Sequence, residues 1–233
     1  MNILITGASG GIGRHLTEHF DKPGNALFLT YRTYQSHLRN VAIPAAASAE
    51  MIIMCDFTKS ADVQALFDRI RSLDVIVNCM GHVENSLAVR MDEEQWDRVI
   101  DSNLKTVFLS CKHGAPLMAP CGHIVNISSV LGSLGMPGAS NYCAAKGAVE
   151  AFTRAFALEC IPRGIFVNAI ALGYFKTGLG LELSPKSVEA ALSRIPLRRF
   201  GEPGEISRAV DYVIASRYMT GSVLHLNGGL WNS

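Results

Sequence analysis

Tyr142 and Lys146 stand four residues apart. On a helix that spacing sets both side chains on one face, about one turn apart. A phenol with a pKa of ~10 exchanges its proton poorly at neutral pH. A nearby ammonium favours the phenolate and lowers that pKa. The pair therefore reads as a general acid/base unit in which Lys146 tunes Tyr142. The same spacing also fits an ordinary amphipathic helix surface, because so short a motif recurs by chance. The elements around the pair must decide. Ser129 lies thirteen residues before Tyr142, at the end of the apolar run His123–Ser129.

At the start of the chain, Ile3-Leu4-Ile5 reads as a buried parallel strand. A glycine-rich turn follows and then a stretch with helical spacing, Arg14–Phe20. Such a turn lets a backbone approach a pyrophosphate closely, and the helix N-terminus offers N–H donors and a favourable dipole. Gly7, Ser9, Gly10, Gly11, Ile12 and Gly13 are the candidates. Their spacing is Gly-x-x-x-Gly-x-Gly, not the commoner Gly-x-Gly-x-x-Gly, and a tight turn without a ligand is the alternative. The strand Ala26–Tyr31 ends at Arg32 with no acid nearby. An acid there would bind the 2′-hydroxyl of NAD, whereas an arginine accommodates the 2′-phosphate of NADP. NADP(H) is therefore the expected cofactor, with a solvated surface arginine as the alternative.

Met51–Cys55 and Asp74–Asn78 read as the third and fourth strands. Asp56, followed by Phe57, either contacts an adenine or caps a helix starting near Ser60. Residues 33–50 suggest a short helix and a loop. Glu93–Met118 reads as one or two long helices with Asn103 near the middle. An asparagine there is unfavourable unless its side chain has a task, although it could simply face water. Phe166–Ala171 is a sixth strand. The β–α alternation predicts one α/β domain over residues 1–233, a Rossmann-type doubly wound parallel sheet of about seven strands with helices on both faces. Ligands of such sheets bind beyond the carboxyl ends of the strands. Ser129, the glycine turn, Arg32 and Asn78 would all lie at that edge. Tyr142 would open the next helix, with Ser140 or Asn141 as its N-cap.

Composition narrows the function class. Hydrophobic residues make up 48% of the 233 and charged residues 18%, enough for a large core. The formal net charge of +1 and the lack of a basic run give no electrostatic footing for nucleic acid or an anionic membrane. None of the six cysteines forms Cys-x-x-Cys, which fits reduced, buried thiols and no metal site. No apolar stretch is long enough to span a bilayer. A cytoplasmic protein is expected.

Taken together and in order, Thr6-Gly7-x-x-x-Gly11-Ile12-Gly13, Asn78-x-x-Gly81, Asn103, Ser129, Tyr142-x-x-x-Lys146, Gly173-x-x-x-Thr177 and Asn227-Gly228-Gly229 resemble the short-chain dehydrogenase/reductase family over nearly the whole chain. The segment Pro196–Glu205 is most similar to its 3-oxoacyl-(acyl-carrier-protein) reductase branch. The resemblance implies that Tyr142 protonates a carbonyl oxygen and that Ser129 hydrogen-bonds the same oxygen. It implies that Lys146 binds the nicotinamide ribose and that Asn103 holds a water leading Lys146 to solvent. Asn78, Gly81, Gly173, Phe175 and Thr177 join the expected cofactor contacts.

The resemblance further implies a substrate lid at about 178–195, an apolar acyl substrate and a homotetramer. The tetramer would form through the helices around Asn103 and after Tyr142, where Ala144, Ala145, Gly147, Ala148 and Ala151 permit close packing. Arg163 matches a docking position for an acidic acyl carrier protein, whereas the second basic position, near Pro120-Cys121, is empty. Three departures stand out. Cys79-Met80 replace Asn-Ala, Leu172 replaces a proline and is expected to loosen its turn, and Gly10 replaces a basic residue, so NADP preference leans on Arg32 with Arg14 as a weaker helper. The rival expectations are an NAD(P)-dependent dehydrogenase of a small secondary alcohol or hydrophobic ketone, and a non-catalytic dinucleotide sensor.

Overall fold

The computed structural model describes residues 1–32, 52–181 and 183–231. Residues 33–51, 182 and 232–233 lie outside them, and so do the short helix and loop expected over 33–50 and the first residue of the strand expected over Met51–Cys55.

Seven described strands form one sheet in the order β3-β2-β1-β4-β5-β6-β7, and every neighbouring pair is parallel. They are β1 (Asn2–Thr6), β2 (Ala26–Tyr31), β3 (Ile52–Met54), β4 (Leu73–Asn78), β5 (Met118–Ser129), β6 (Phe166–Leu172) and β7 (Val223–Leu226). The helices are α1 (Gly11–Phe20), α2 (Ser60–Phe67), α3 (Glu93–Ile100), α4 (Thr106–Gly114), α5 (Leu131–Leu134), α6 (Ser140–Cys160), α7 (Pro185–Arg194) and α8 (Pro203–Ala215).

A parallel sheet needs cover on both faces, and strand alternation supplies two cores. Leu4, Ile76, Ile124 and Val167 point to the side of α2, α4 and α6. Ile3, Ile5, Val75, Val77, Val125 and Ile170 point to the side of α1 and α8. The strand order reverses between β1 and β4, which opens a crevice beyond their carboxyl ends.

Several boundaries differ from expectation. The stretch 93–118 is broken into α3, a π-turn over Asp101–Lys105, and α4, and Met118 already belongs to β5. Helix α6 begins at Ser140, so Tyr142 is its third residue, and the N-cap is Ala139 without a side-chain cap. Asn141 lies inside the helix instead; its Oδ1 accepts from the Tyr142 N–H at 2.8 Å. Asp56 does not cap α2, whose N-cap is Lys59. Its carboxylate accepts from the Thr58 hydroxyl at 2.7 Å and amide at 3.0 Å, a local turn that competes with capping. Leu172 is not in a loosened turn. It is the last residue of β6, 5% exposed, and its carbonyl accepts from Val130 N–H at 2.8 Å.

Candidate active site

Ser129 ends β5 and Tyr142 starts the second half of the site on α6. The two elements are tied one turn deeper, where Ser128 Oγ donates to Glu150 Oε1 at 2.9 Å and lies 3.2 Å from the Lys146 carbonyl. Tyr142 is 9% exposed and packs in an apolar cluster with Val99 and Ala139, bordered by Val83, Leu131, Met136 and Cys143. Burial outweighs an opposing interaction with the Ser129 side chain and leaves the phenol raised to about 12. The expected lowering by Lys146 is thus not met. Lys146 Nζ stands 5.7 Å from the Tyr142 ring centre and donates to the Ile127 carbonyl at 2.9 Å. Desolvation, acting on both groups, dominates: it also lowers Lys146 to about 8, with Cys79 opposing slightly.

Asn103 sits in the π-turn, fully buried. Such single-turn bulges recur at functional sites because they turn a helix side chain out of its regular row. Its Nδ2 donates to His82 O at 2.7 Å and to Val99 O at 2.9 Å, while Oδ1 has no hydrogen-bond partner among the described residues. A Cβ on Gly81 would lie 3.0 Å from that Oδ1 and 3.7 Å from Lys146 Nζ. Gly81 therefore keeps the approach between Asn103 and Lys146 clear. Asn103, Ser129, Tyr142 and Lys146, read from separate stretches of sequence, all meet at the carboxyl edge of the sheet.

The cleft at the switch point is lined by Gly7, Ser9, Gly10, Arg32, Asp56, Phe57 and Gly81 among the expected cofactor residues. Asp56 is held below its ordinary value: burial opposes this, but the Thr58 hydroxyl and amide, then the Arg32 and Lys59 cations, outweigh it. Gly11 opens α1, which has no acid in its first turn. Gly13 packs the helix on the turn rather than lining the cleft, and Ile12 leans on the core.

Other expected contacts lie elsewhere. The Asn78 side chain is turned into the sheet, with Nδ2 donating to Asn126 Oδ1 at 2.8 Å and Oδ1 lying 3.4 Å from Thr6 Oγ1. It splices β4 to β5 and β1 instead of facing the cleft. Phe175 is 6% exposed and covers Gly201, and Gly173 abuts Asn227. Thr177 and Gly178 crowd Gly11, so the segment after β6 rests on the glycine turn. The segment expected as a lid has a 3-10 turn at Gly178–Leu181 and then α7, capped by Ser184.

Cys79 and Met80, singled out in the sequence as a departure, line the cleft, as do His82, Ser102 and Thr106, which sequence reasoning missed. Adjacency to Gly81 and Asn103 was the available signal. The Cys79-Met80 departure has a visible consequence, since Met80 lies over Gly7, whose Cβ would come within 3.0 Å of Met80 Cγ.

A family model described as enoyl-(acyl carrier protein) reductase matches residues 7–231. The chain belongs to the short-chain dehydrogenases/reductases. It is 36% identical to a 3-oxoacyl-(acyl-carrier-protein) reductase FabG of Staphylococcus aureus, covering 98% of this chain and 97% of that one. Identity is 34% to the FabG of Rickettsia typhi, over 97% and 95% of the two chains, and 34% to that of Staphylococcus epidermidis, over 98% of each. No helix among the described residues of this short-chain dehydrogenase/reductase is long and apolar enough to cross a membrane.

Proposed function

We propose that this protein reduces a 3-oxoacyl thioester, carried on an acyl carrier protein, to the 3-hydroxyacyl product with NADPH. One observation carries the reading. A buried phenol acting with Ser129, a buried lysine and an asparagine oxygen with no hydrogen-bond partner among the described residues share one sheet edge beside a cleft with a glycine turn and Arg32. The full-length relatives with that activity support the substrate class.

The residues present fit a dinucleotide. The turn from Gly7 to Gly13 and the α1 N-terminus would hold its pyrophosphate, Arg32 its 2′-phosphate, and Lys146 with Tyr142 the nicotinamide ribose. When bound, the cofactor supplies the hydride. The protein handles the proton. Burial keeps the Tyr142 hydroxyl protonated at neutral pH, so it is a loaded donor. Ser129 donates to the carbonyl oxygen and orients it toward that hydroxyl. The phenolate left behind is stabilised by the Lys146 ammonium, and the buried Asn103 Oδ1, which faces Gly81, can hold a water that returns a proton.

NADPH oxidation with an acetoacetyl thioester, compared with NADH and with simple secondary-alcohol ketones, tests this. We expect the thioester with NADPH to be preferred; turnover of simple ketones alone would favour the alcohol dehydrogenase reading. A pH profile adds a second check. Lys146 loses its proton at about 8 in the folded protein. The kcat/KM for reduction is therefore expected to fall as pH rises through about 8. The same group acts on stability with the opposite sign. Its folded pKa lies below the unfolded 10.5, so the unfolded chain binds more protons between the two, and its contribution to stability rises with pH across that window. A falling rate there cannot be assigned to this lysine unfolding the protein.

The surface supports assembly more than docking. Phe108 is exposed on α4 and meets Phe152 of α6 edge to face, and Phe152 stacks on Phe156. An apolar patch of this kind suits the proposed tetramer. Ala145 and Gly147 are not available to it: Ala145 is fully buried and Gly147 faces Gly132 within the protomer. Arg163 donates to the Ala115 and Pro116 carbonyls, so its guanidinium also closes the turn after α4. Carrier docking at Arg163 rests on its exposed remainder.

A further inference from the structure

His82 follows the glycine that separates Asn103 from Lys146, and it lines the cleft together with Ser102 and Thr106. In strand order β4 lies on the other side of β1 from β2, so His82 and Arg32 flank the glycine turn from opposite sides. The residue is fixed at both ends. Its carbonyl accepts from Asn103 Nδ2 at 2.7 Å, and its Nε2 lies 2.9 Å from Glu84 Oε1.

Glu84 is itself clamped. Arg98 on α3 donates from Nε to Oε1 at 3.0 Å and from Nη2 to Oε2 at 2.9 Å. The Glu84 carbonyl accepts from Asn141 Nδ2 at 3.1 Å, beside the catalytic tyrosine. Arg98, then His82, hold the Glu84 carboxyl down to about 2, so it only accepts, and the Nε2 of His82 must carry the hydrogen.

An exposed ion pair of this sort adds little stability. What the bidentate fork supplies is direction. It locks the imidazole plane, which remains 48% exposed, in the wall of the cleft. Short hydroxyl side chains at Ser102 and Thr106 leave room beside the ring. A locked planar aromatic next to an open slot is the arrangement that stacks a nucleobase.

We propose that His82 is a cofactor-binding residue whose ring stacks on the adenine of the dinucleotide, with Glu84 and Arg98 as the residues that position it. The inference rests on the dinucleotide reading above and goes further by assigning the base contact.

Calorimetric binding of adenosine 2′,5′-bisphosphate and of ADP, which carry the adenine without nicotinamide, tests it apart from catalysis. His82→Ala is expected to weaken the fragment that the wild type binds, and NADPH, by a similar factor of about tenfold, the scale of one base stack. His82→Gln keeps an N–H for Glu84 without the ring and should not restore binding. Glu84→Gln should weaken binding less, and the double variant should bind no worse than His82→Ala alone. Fragment affinity within about twofold of wild type in His82→Ala, or full recovery in His82→Gln, overturns the proposal and leaves the dinucleotide reading standing. A wild type that binds NADPH but neither fragment also overturns it. One that binds none of the three overturns both.

Discussion

Tyr142→Phe is expected to lower 3-oxoacyl reduction by about a hundred- to ten-thousand-fold, the range a positioned general acid contributes. The ring stays, and with it the packing against Val99 and Ala139. Only the hydroxyl and its interaction with Ser129 are lost, which costs about 0.5–1.5 kcal/mol of stability. NADPH binding should persist, because the turn, Arg32 and Lys146 are untouched. Steady-state kinetics with a 3-oxoacyl thioester, alongside a binding titration, decides the matter. A variant that binds NADPH and keeps nearly full activity would falsify the proton-donor assignment and favour the sensor reading.

Gly13→Ala is expected to remove cofactor binding and to destabilise the fold. A Cβ at this position would lie 2.3 Å from the Gly7 carbonyl oxygen and 2.8 Å from Ala8 Cα. Both are backbone atoms, so no side chain can swing aside. Helix α1 must retreat from the turn that it is meant to close, and the N–H groups proposed to hold a pyrophosphate move with it. Overpacking of this kind costs about 1–3 kcal/mol. Thermal unfolding and NADPH titration of the purified variant read the two effects separately. Unaltered NADPH affinity would show that this close approach does not shape the phosphate site.

The sheet and its cleft were legible in the sequence because their signals are local. An apolar run such as Ile3-Leu4-Ile5 has few options other than a strand covered on both faces, and a glycine turn between such a run and a helix has a restricted geometry. The Tyr142–Lys146 pair was legible for the same reason, since helical spacing alone sets the two on one face. Ser129 followed from the end of an apolar run.

What tertiary structure decided depends on contacts between distant segments. Asn78 stands at the right strand end for a cofactor contact, yet its amide meets Asn126 and Thr6 inside the sheet. Only the pairing of β1, β4 and β5 puts these partners within reach. The π-turn that turns Asn103 toward Gly81 is a helix irregularity with no simple sequence mark. The wall formed by His82 depends on Glu84, Arg98 and Asn103 coming together across the β4–α3 connection. The acidity of the central pair was also beyond sequence. Spacing suggests an ammonium lowering a phenol, but folding removes water from both groups, and desolvation raises the phenol and lowers the lysine together.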